Sequence, residues 1–331
     1  MPQSNVKLVR LDEIKVERVR HLWQSRIPIG KITILQGDPG LGKSTMSLDI
    51  AARVTHGDGM PDASESELGG PAGVVILTAE DGLADTIRPR LDAAGADVSR
   101  VVSFGPEEQL LIPRDVGKIC SAIRQVGARL LLIDPLAAFL DATVNSWNNQ
   151  QVRRALTPLA KTAESTDAAV LVLDHLSKAS GRAAIYRGNG SIGMNAAARS
   201  VLLVGKDPQE QETFVLASVK CNLSRKPRSL RYRTEEAANG AVRIEWLGEC
   251  DTNADELGVE EGPATDSKLA GCAEWLRQRL NNGSSVLESI VRKEALGQGY
   301  SERTYKRARQ QAGVKSTRAG EHWVLSLTYR F

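Results

Sequence analysis

Residues 31–45 read KITILQGDPGLGKST, an apolar, β-rich run that turns into a glycine-rich loop. The spacing Gly37-x4-Gly42-Lys43-Ser44 fits a phosphate loop, and its surroundings strengthen the match. A strand-like run precedes it, and a helix-length stretch over 44–56 follows, terminated by Gly57. Glycines let backbone N–H groups approach phosphate closely, and a helix N-terminus favours negative charge. The predicted cradle for ATP is Gly37, Asp38, Pro39, Gly40, Leu41, Gly42, Lys43, Ser44 and Thr45. In this reading Lys43 neutralises the β- and γ-phosphates, and the Ser44 hydroxyl ligates Mg2+.

Working outward, short apolar runs alternate with amphipathic stretches of helical length: GVVILTAE, RLLLIDP and AVLVLDH follow the loop in turn. Strands that are apolar almost throughout predict a parallel sheet buried on both faces. The fold class is therefore α/β, a parallel sheet flanked by helices. After residue 200 the rhythm changes to SVLLVGKD, FVLASVK, RSLRYRT and VRIEWLG, at hairpin spacing, which predicts an antiparallel edge. Pro89 and Pro158 fall inside helical stretches and predict a kink or a late start. Asp134 ends RLLLID, where a carboxylate can hold the same Mg2+ as Ser44. Glu80 ends VVILTAE at the strand edge where ligands bind in such sheets, placed to polarise an attacking water. Its rival reading is a solvated turn. His175 ends AVLVLDH at the same edge, where an imidazole can hydrogen-bond a γ-phosphate.

The formal net charge of +3 conceals an asymmetry. Residues 249–266 hold seven acids and no Lys or Arg, whereas 267–331 hold twelve Lys/Arg against five acids. An acidic Gly/Pro/Asp/Thr segment between a core and a basic tail reads as a solvated linker. The expected division is 1–248, a linker at 249–266, and a tail domain at 267–331. In the tail, Leu269, Cys272, Ala273, Leu276 and Leu280 make one helical stripe, and Val286, Leu287, Ile290 and Val291 a second. Ser301 caps a third helix that Gly313 ends, with Tyr305, Ala308 and Ala312 on one side. WVLSL at 323–327 reads as a strand. Three helices and a β wing describe a small winged helix-turn-helix domain. Arg303, Lys306 and Gln310 share one face of its third helix, flanked by Arg307 and Arg309, as reading a DNA groove requires. A solvated basic face is the alternative. No run reaches the length of a membrane span. Four cysteines without CxxC spacing point to a reducing cytoplasm and away from structural zinc.

Taken in order, these motifs resemble those of the RecA-fold hexameric ATPases, in particular the RepA-type plasmid and phage replicative helicases. GDPGLGKST resembles their Walker A loop, Glu80-Asp81 the segment of the catalytic glutamate, LLLID-Pro the Walker B strand, and LDHLSK the sensor motif, although Asp174 stands where a relative has His. RGNGSIG with AAARSVLLV resembles the segment ending in an arginine finger, here Arg199, and SVKCN a basic motif centred on Lys220. Asn222 stands where DnaB-type relatives carry a second arginine, which shifts the finger role mainly to Arg199. The resemblance implies a homo-oligomeric, hexameric ring in which Arg199 completes the site of the next subunit. It implies that Arg90 packs against adenine, against the plainer reading of a surface arginine. It also implies that the polar loop 177–193, with Lys178, Arg182, Arg187 and Tyr186, faces single-stranded DNA in the ring channel. A second loop, 141–150, offers Trp147, and the tail would take duplex DNA.

Three functions compete: a ring-forming, ATP-hydrolysing DNA motor in replication or recombination of a bacterium, plasmid or phage; an ATP-gated DNA-binding regulator or loader that never unwinds; and an ATP-dependent assembly scaffold. No primase, nuclease or protease signature separates them.

Overall fold

A short hairpin, β1 (His21–Trp23) and β2 (Ile27–Pro28), leads into β3 (Ile32–Gly37), whose six residues are all buried. The structure is a computed structural model that describes residues 8–105, 107–145, 148–175, 192–258, 263–280, 285–319 and 322–327. The chain divides into two units, Met1–Val259 and Glu260–Phe331.

In the first unit β3 is followed by the glycine loop and by α1 (Lys43–His56), which Gly57 ends in the left-handed conformation that a Cβ would disfavour. Then come β4 (Gly73–Thr78), α2 (Arg88–Ala93), β5 (Val101–Ser103), α3 (Val116–Gln125), β6 (Ala128–Asp134), α4 (Leu136–Phe139), α5 (Asn149–Thr166), β7 (Ala169–His175), α6 (Ile192–Ala197), β8 (Ser200–Lys206), β9 (Phe214–Cys221), β10 (Ser229–Glu236) and β11 (Val242–Cys250). Pro89 sits in the first turn of α2, where a missing N–H costs nothing. Pro158 lies inside α5, which continues through it to Thr166.

Nine strands form one sheet in the order β11-β10-β9-β8-β3-β7-β6-β4-β5. Alternate residues feed two cores, one on each face. Leu35, Leu130, Leu132, Leu171 and Leu173 pack with α1 and α2, while Ile32, Ile34, Leu131, Ile133, Val170 and Val172 pack with α3 and α5. Truncating one such leucine to alanine costs about 2–5 kcal/mol. This is the α/β architecture expected from the apolar strands, a largely parallel sheet flanked by helices with an antiparallel edge, with one refinement. The strand opening at residue 200 is not the start of the antiparallel edge. β8 runs parallel to β3, because the chain crosses back through α6 before entering it, and the antiparallel edge begins at β9.

The acidic stretch read as a solvated linker is in part folded. Cys250 and Ala254 are buried with Leu203, Val215 and Ala217, and Leu257 covers Gly205 so closely that a Cβ there would meet its carbonyl at 2.7 Å. Its small and apolar residues are therefore anchored on the sheet through 257, while Glu249, Asp251, Asp255 and Glu256 stay at the surface.

The second unit contains α7 (Pro263–Leu280), β12 (Val286–Leu287), α8 (Glu288–Gly297), α9 (Glu302–Gln311), β13 (Val314–Ala319) and β14 (His322–Leu327), with sheet order β12-β14-β13. The stripe Leu269, Cys272, Ala273, Leu276 and Leu280 meets Val291, Ala295, Tyr305, Ala308, Ala312 and Leu325 in one core. The second stripe is not a single helix face. Val286 and Leu287 pair with Leu325 and Val324 as a strand, α8 starts at Glu288, and Ile290 is 44 % exposed. Backbone pairing with β14 takes the two residues that periodicity alone assigns to the helix. Ser301 caps α9 by accepting from the Thr304 N–H, and Gly313 follows with φ +73°. Among the described residues no helix is long and apolar enough to cross a membrane.

Candidate nucleotide site

The loop between β3 and α1 owes its shape to two glycines in the left-handed region, Gly40 (φ +79°) and Gly42 (φ +76°). The Met46 N–H donates to the Gly42 carbonyl at 2.8 Å, so α1 winds from Gly42, and the first N–H groups of the helix lack intrahelical acceptors. Gly37 has no room for a side chain, since a Cβ would lie 2.8 Å from the Val204 carbonyl and 3.3 Å from Lys43 Cδ. Lys43 is only 5 % exposed, and its Nζ donates to the carbonyls of Gly37 (2.9 Å) and Asp38 (2.8 Å). Burial pushes its ammonium pKa down, while Asp134, Asp38, Asp174 and Glu80 act in the opposite sense.

Strand register brings the other groups alongside. Thr78 lies opposite Asp134 and Gly37 opposite His175, so the Glu80 turn, Asp134 and His175 share the carboxyl edge of the sheet with the loop. Burial pushes the Asp134 carboxyl up, reinforced by Asp81 and Glu80, against the pull of a hydrogen bond with the Ser44 side chain and of Lys43. Glu80 Oε2 lies 4.0 Å from His175 Nε2. His175 Nδ1 is buried with no hydrogen-bond partner among the described residues. Arg90 pairs with Asp81 at 2.8 Å, a contact that no motif in the sequence announces, and Asn239 in the β10–β11 turn donates to the Pro89 carbonyl on α2.

Ser44 and Asp134 supply hard oxygen donors beside N–H groups that can take phosphate. That set fits Mg2+, which is held by one or two protein oxygens with substrate phosphates completing its shell.

Arg199 and Lys220 occupy the other end of the sheet. The Arg199 N–H donates to the Ile32 carbonyl, where β3 begins, so its own phosphate loop is a full strand away, about 16 Å. Arg199 is exposed and lines a surface cleft of about 640 Å³ with Arg153, Arg154 and Lys161, and neither Arg199, Arg153 nor Arg154 has a carboxylate partner among the described residues. Lys220 differs. Its Nζ donates to the carbonyls of Asn195 (2.7 Å) and Ala198 (2.8 Å), tying down the end of α6 beside Arg199, and burial pushes its pKa down with Arg199 and Arg153 adding to the effect.

Lys178, Arg182, Arg187, Tyr186 and Trp147 lie outside the described residues. On α9, Lys306 and Arg307 are exposed while Tyr305 and Ala308 face the core. Arg309 is taken up by an ion pair with Glu288.

A buried loop lysine, a strand-end aspartate joined to the loop serine, and a glutamate beside a histidine on one sheet edge define a P-loop protein of the α/β class. The AAA domain family matches residues 2–181, over half of the chain, and the chain belongs to it. Among curated proteins it is similar to DNA repair protein RadA of Bacillus subtilis (strain 168), 23% identical over 151 residues, or 45% of this chain and 28% of that protein. The RadA of Halalkalibacterium halodurans is 26% identical over 171 residues, 51% of this chain and 33% of that one. The chain thus spans a third or less of these relatives. Among solved structures, the ATPase domain of G40P aligns with 64% of this chain and 84% of its own at 16% identity and a TM-score of 0.47. The RadB recombinase aligns with 66% and 91% at 14% identity and a TM-score of 0.46.

Proposed function

We propose that this protein is an ATP-hydrolysing, ring-forming DNA motor acting in replication, recombination or repair. The observation that carries this reading is the pairing of opposite sheet ends: the cradle, Asp134, Glu80 and His175 gather at the carboxyl end of β3, and the uncompensated Arg199 stands at its amino end. ATP binds with its terminal phosphates against the loop N–H groups and Lys43. Ser44 and Asp134 would hold Mg2+, which would offset phosphate charge during the transfer. Glu80 takes the proton of a water that attacks the γ-phosphorus while the bond to ADP breaks. Arg199 of one subunit meets the charge developing in its neighbour, a contribution on the order of 10^3–10^5 in rate for such fingers. His175, next to Glu80 and at the head of the loop 177–193, links the γ-phosphate to DNA contact through Lys178, Arg182 and Arg187. The second unit acts as a winged helix, with Arg303, Lys306 and Arg307 of α9 on duplex phosphates. The names of the RadA relatives, DNA repair proteins, support DNA as the partner.

The test is an ATPase assay with and without single-stranded DNA, run beside strand displacement on tailed duplexes. Single-stranded DNA should stimulate turnover several-fold, and His175→Ala should lose the stimulation while still binding nucleotide. Stimulation without displacement on any tailed duplex would replace the motor with an ATP-gated regulator or loader. Turnover indifferent to DNA would remove both the motor and the channel-loop assignment.

A further inference from the structure

The β10–β11 hairpin leans over the phosphate loop, and one side chain bridges the two. Tyr232, fully buried in β10, donates its hydroxyl to the Leu41 carbonyl at 2.6 Å, a bond between residues 191 apart in sequence. The hairpin closes around that bond. A Cβ on Gly42 would lie 3.1 Å from Thr234 Cγ2, 3.5 Å from Ile244 Cδ1 and 3.8 Å from the Tyr232 ring. Phe214 and Trp246 flank the ring, each with its centroid 5.5 Å away, and Trp246 donates to Asp49 on α1 at 2.9 Å. The phenol is therefore clamped. Burial pushes its pKa well above the ordinary tyrosine value, so it remains a donor.

The Leu41 carbonyl and the Gly42 N–H belong to one peptide unit. That unit is planar and trans, so its C=O and N–H point in opposite directions. Fixing the carbonyl towards the hairpin fixes the Gly42 N–H away from it. Gly42, at φ +76°, is the residue before α1, whose first N–H groups are the other donors of the cradle. A concave set of such N–H groups binds anions only when all of them converge. A free peptide at Leu41–Gly42 could rotate one of them out of the set.

We propose that Tyr232 is a positioning residue for the phosphate cradle: by holding the Leu41 carbonyl it aims the Gly42 N–H at the terminal phosphates of a bound nucleotide. The assignment rests on the phosphate-loop reading above, and the controls separate the two.

Tyr232→Phe removes the hydroxyl and keeps the ring. Its dissociation constant for ADP, measured by calorimetry, should rise about three- to tenfold, the weight of one hydrogen bond. Packing alone would not act on one amide, so the second readout is the Gly42 N–H resonance. ADP should move it strongly in the wild type and weakly in Tyr232→Phe. Trp246→Phe, which loosens the packing but spares the hydroxyl, should leave both readouts near wild type. If Tyr232→Phe does not fold, 3-fluorotyrosine at position 232, a stronger donor of almost the same shape, should change the Gly42 response to ADP from that of the wild type. Wild-type ADP affinity in Tyr232→Phe, an unchanged Gly42 response in Tyr232→Phe or in the 3-fluorotyrosine protein, or a Trp246→Phe protein that mimics Tyr232→Phe would overturn the role of Tyr232 alone. Failure of the wild type to bind ADP would overturn the phosphate-loop reading with it.

Discussion

Lys43, nearly enclosed, rests on two loop carbonyls, and Glu80 lies 4.0 Å from His175; the proposed function makes the first the phosphate-binding cation and the second the base. Lys43→Ala should therefore abolish ATP binding in a calorimetric titration. Glu80→Gln should bind ATP but lose about 10^2–10^4 in turnover, because only proton transfer is removed; a wild-type rate would end its assignment as the base. Asp134 separates function from stability. Burial, with Asp81 and Glu80, raises its carboxyl pKa, so the folded state holds that proton to higher pH than the unfolded chain. The stability this confers is present at low pH and is lost as pH rises through the raised pKa, leaving an ionised burden above it. Asp134→Asn should abolish Mg2+-dependent turnover yet melt at a higher temperature in EDTA without nucleotide; a lower melting temperature would show that the Ser44 bond outweighs the burial. These three residues are legible in the sequence because each ends or follows an apolar strand in a recognisable motif. The Asp81–Arg90 pair and the Tyr232 bond are not, since pairing across 9 and 191 residues is created by the folded sheet and not by local spacing.

At the scale of elements, β8 and α6 decide what Arg199 can reach. Lys220, a candidate for catalysis in the sequence, spends its donors on the end of α6 and so shapes the ground on which Arg199 stands. With β8 parallel to β3, Arg199 begins the strand at the end remote from the loop. Mixing Arg199→Ala with Lys43→Ala subunits should then restore part of the hydrolysis that each lacks alone, since some interfaces pair an intact loop with an intact arginine. An inert mixture, or turnover independent of protein concentration in a stable monomer, would exclude action between subunits. The order of the central elements can be read because strands buried on both faces carry unbroken apolar runs. Val286 and Leu287 mislead because two apolar residues fit a helical stripe and a short strand equally well, and only pairing with β14 distinguishes them. The acids after Cys250 mislead in the other direction: charge suggests solvent, while Ala254 and Leu257 supply the anchor.

Across the whole molecule, two units carry two kinds of surface. The first holds the nucleotide chemistry. The second has its own core and leaves Lys306 and Arg307 exposed on α9. Removing Arg303, Lys306 and Arg307 together should weaken duplex binding and flatten its salt dependence by about 0.9 in slope for each phosphate that is no longer neutralised. DNA-free ATPase activity should not change. Duplex affinity indifferent to the triple substitution would turn the tail into a protein-binding module.

The separation of the cradle and Arg199 by the length of β3 has a consequence for symmetry. In an interface with a dyad both cradles can be answered at once, because residue i meets j while j meets i, provided that Arg199 and the loop share one face of the subunit. If the two lie on opposite faces and Arg199 serves a neighbour as proposed, subunits must associate head to tail, and such interfaces either close under rotation or continue as an open helix. An open stack always ends in one unanswered cradle, whatever its length, whereas closure leaves none. Turnover per subunit would then climb gradually with the length of a filament but reach a plateau at once when a ring shuts, so the shape of that curve reports the geometry of the assembly.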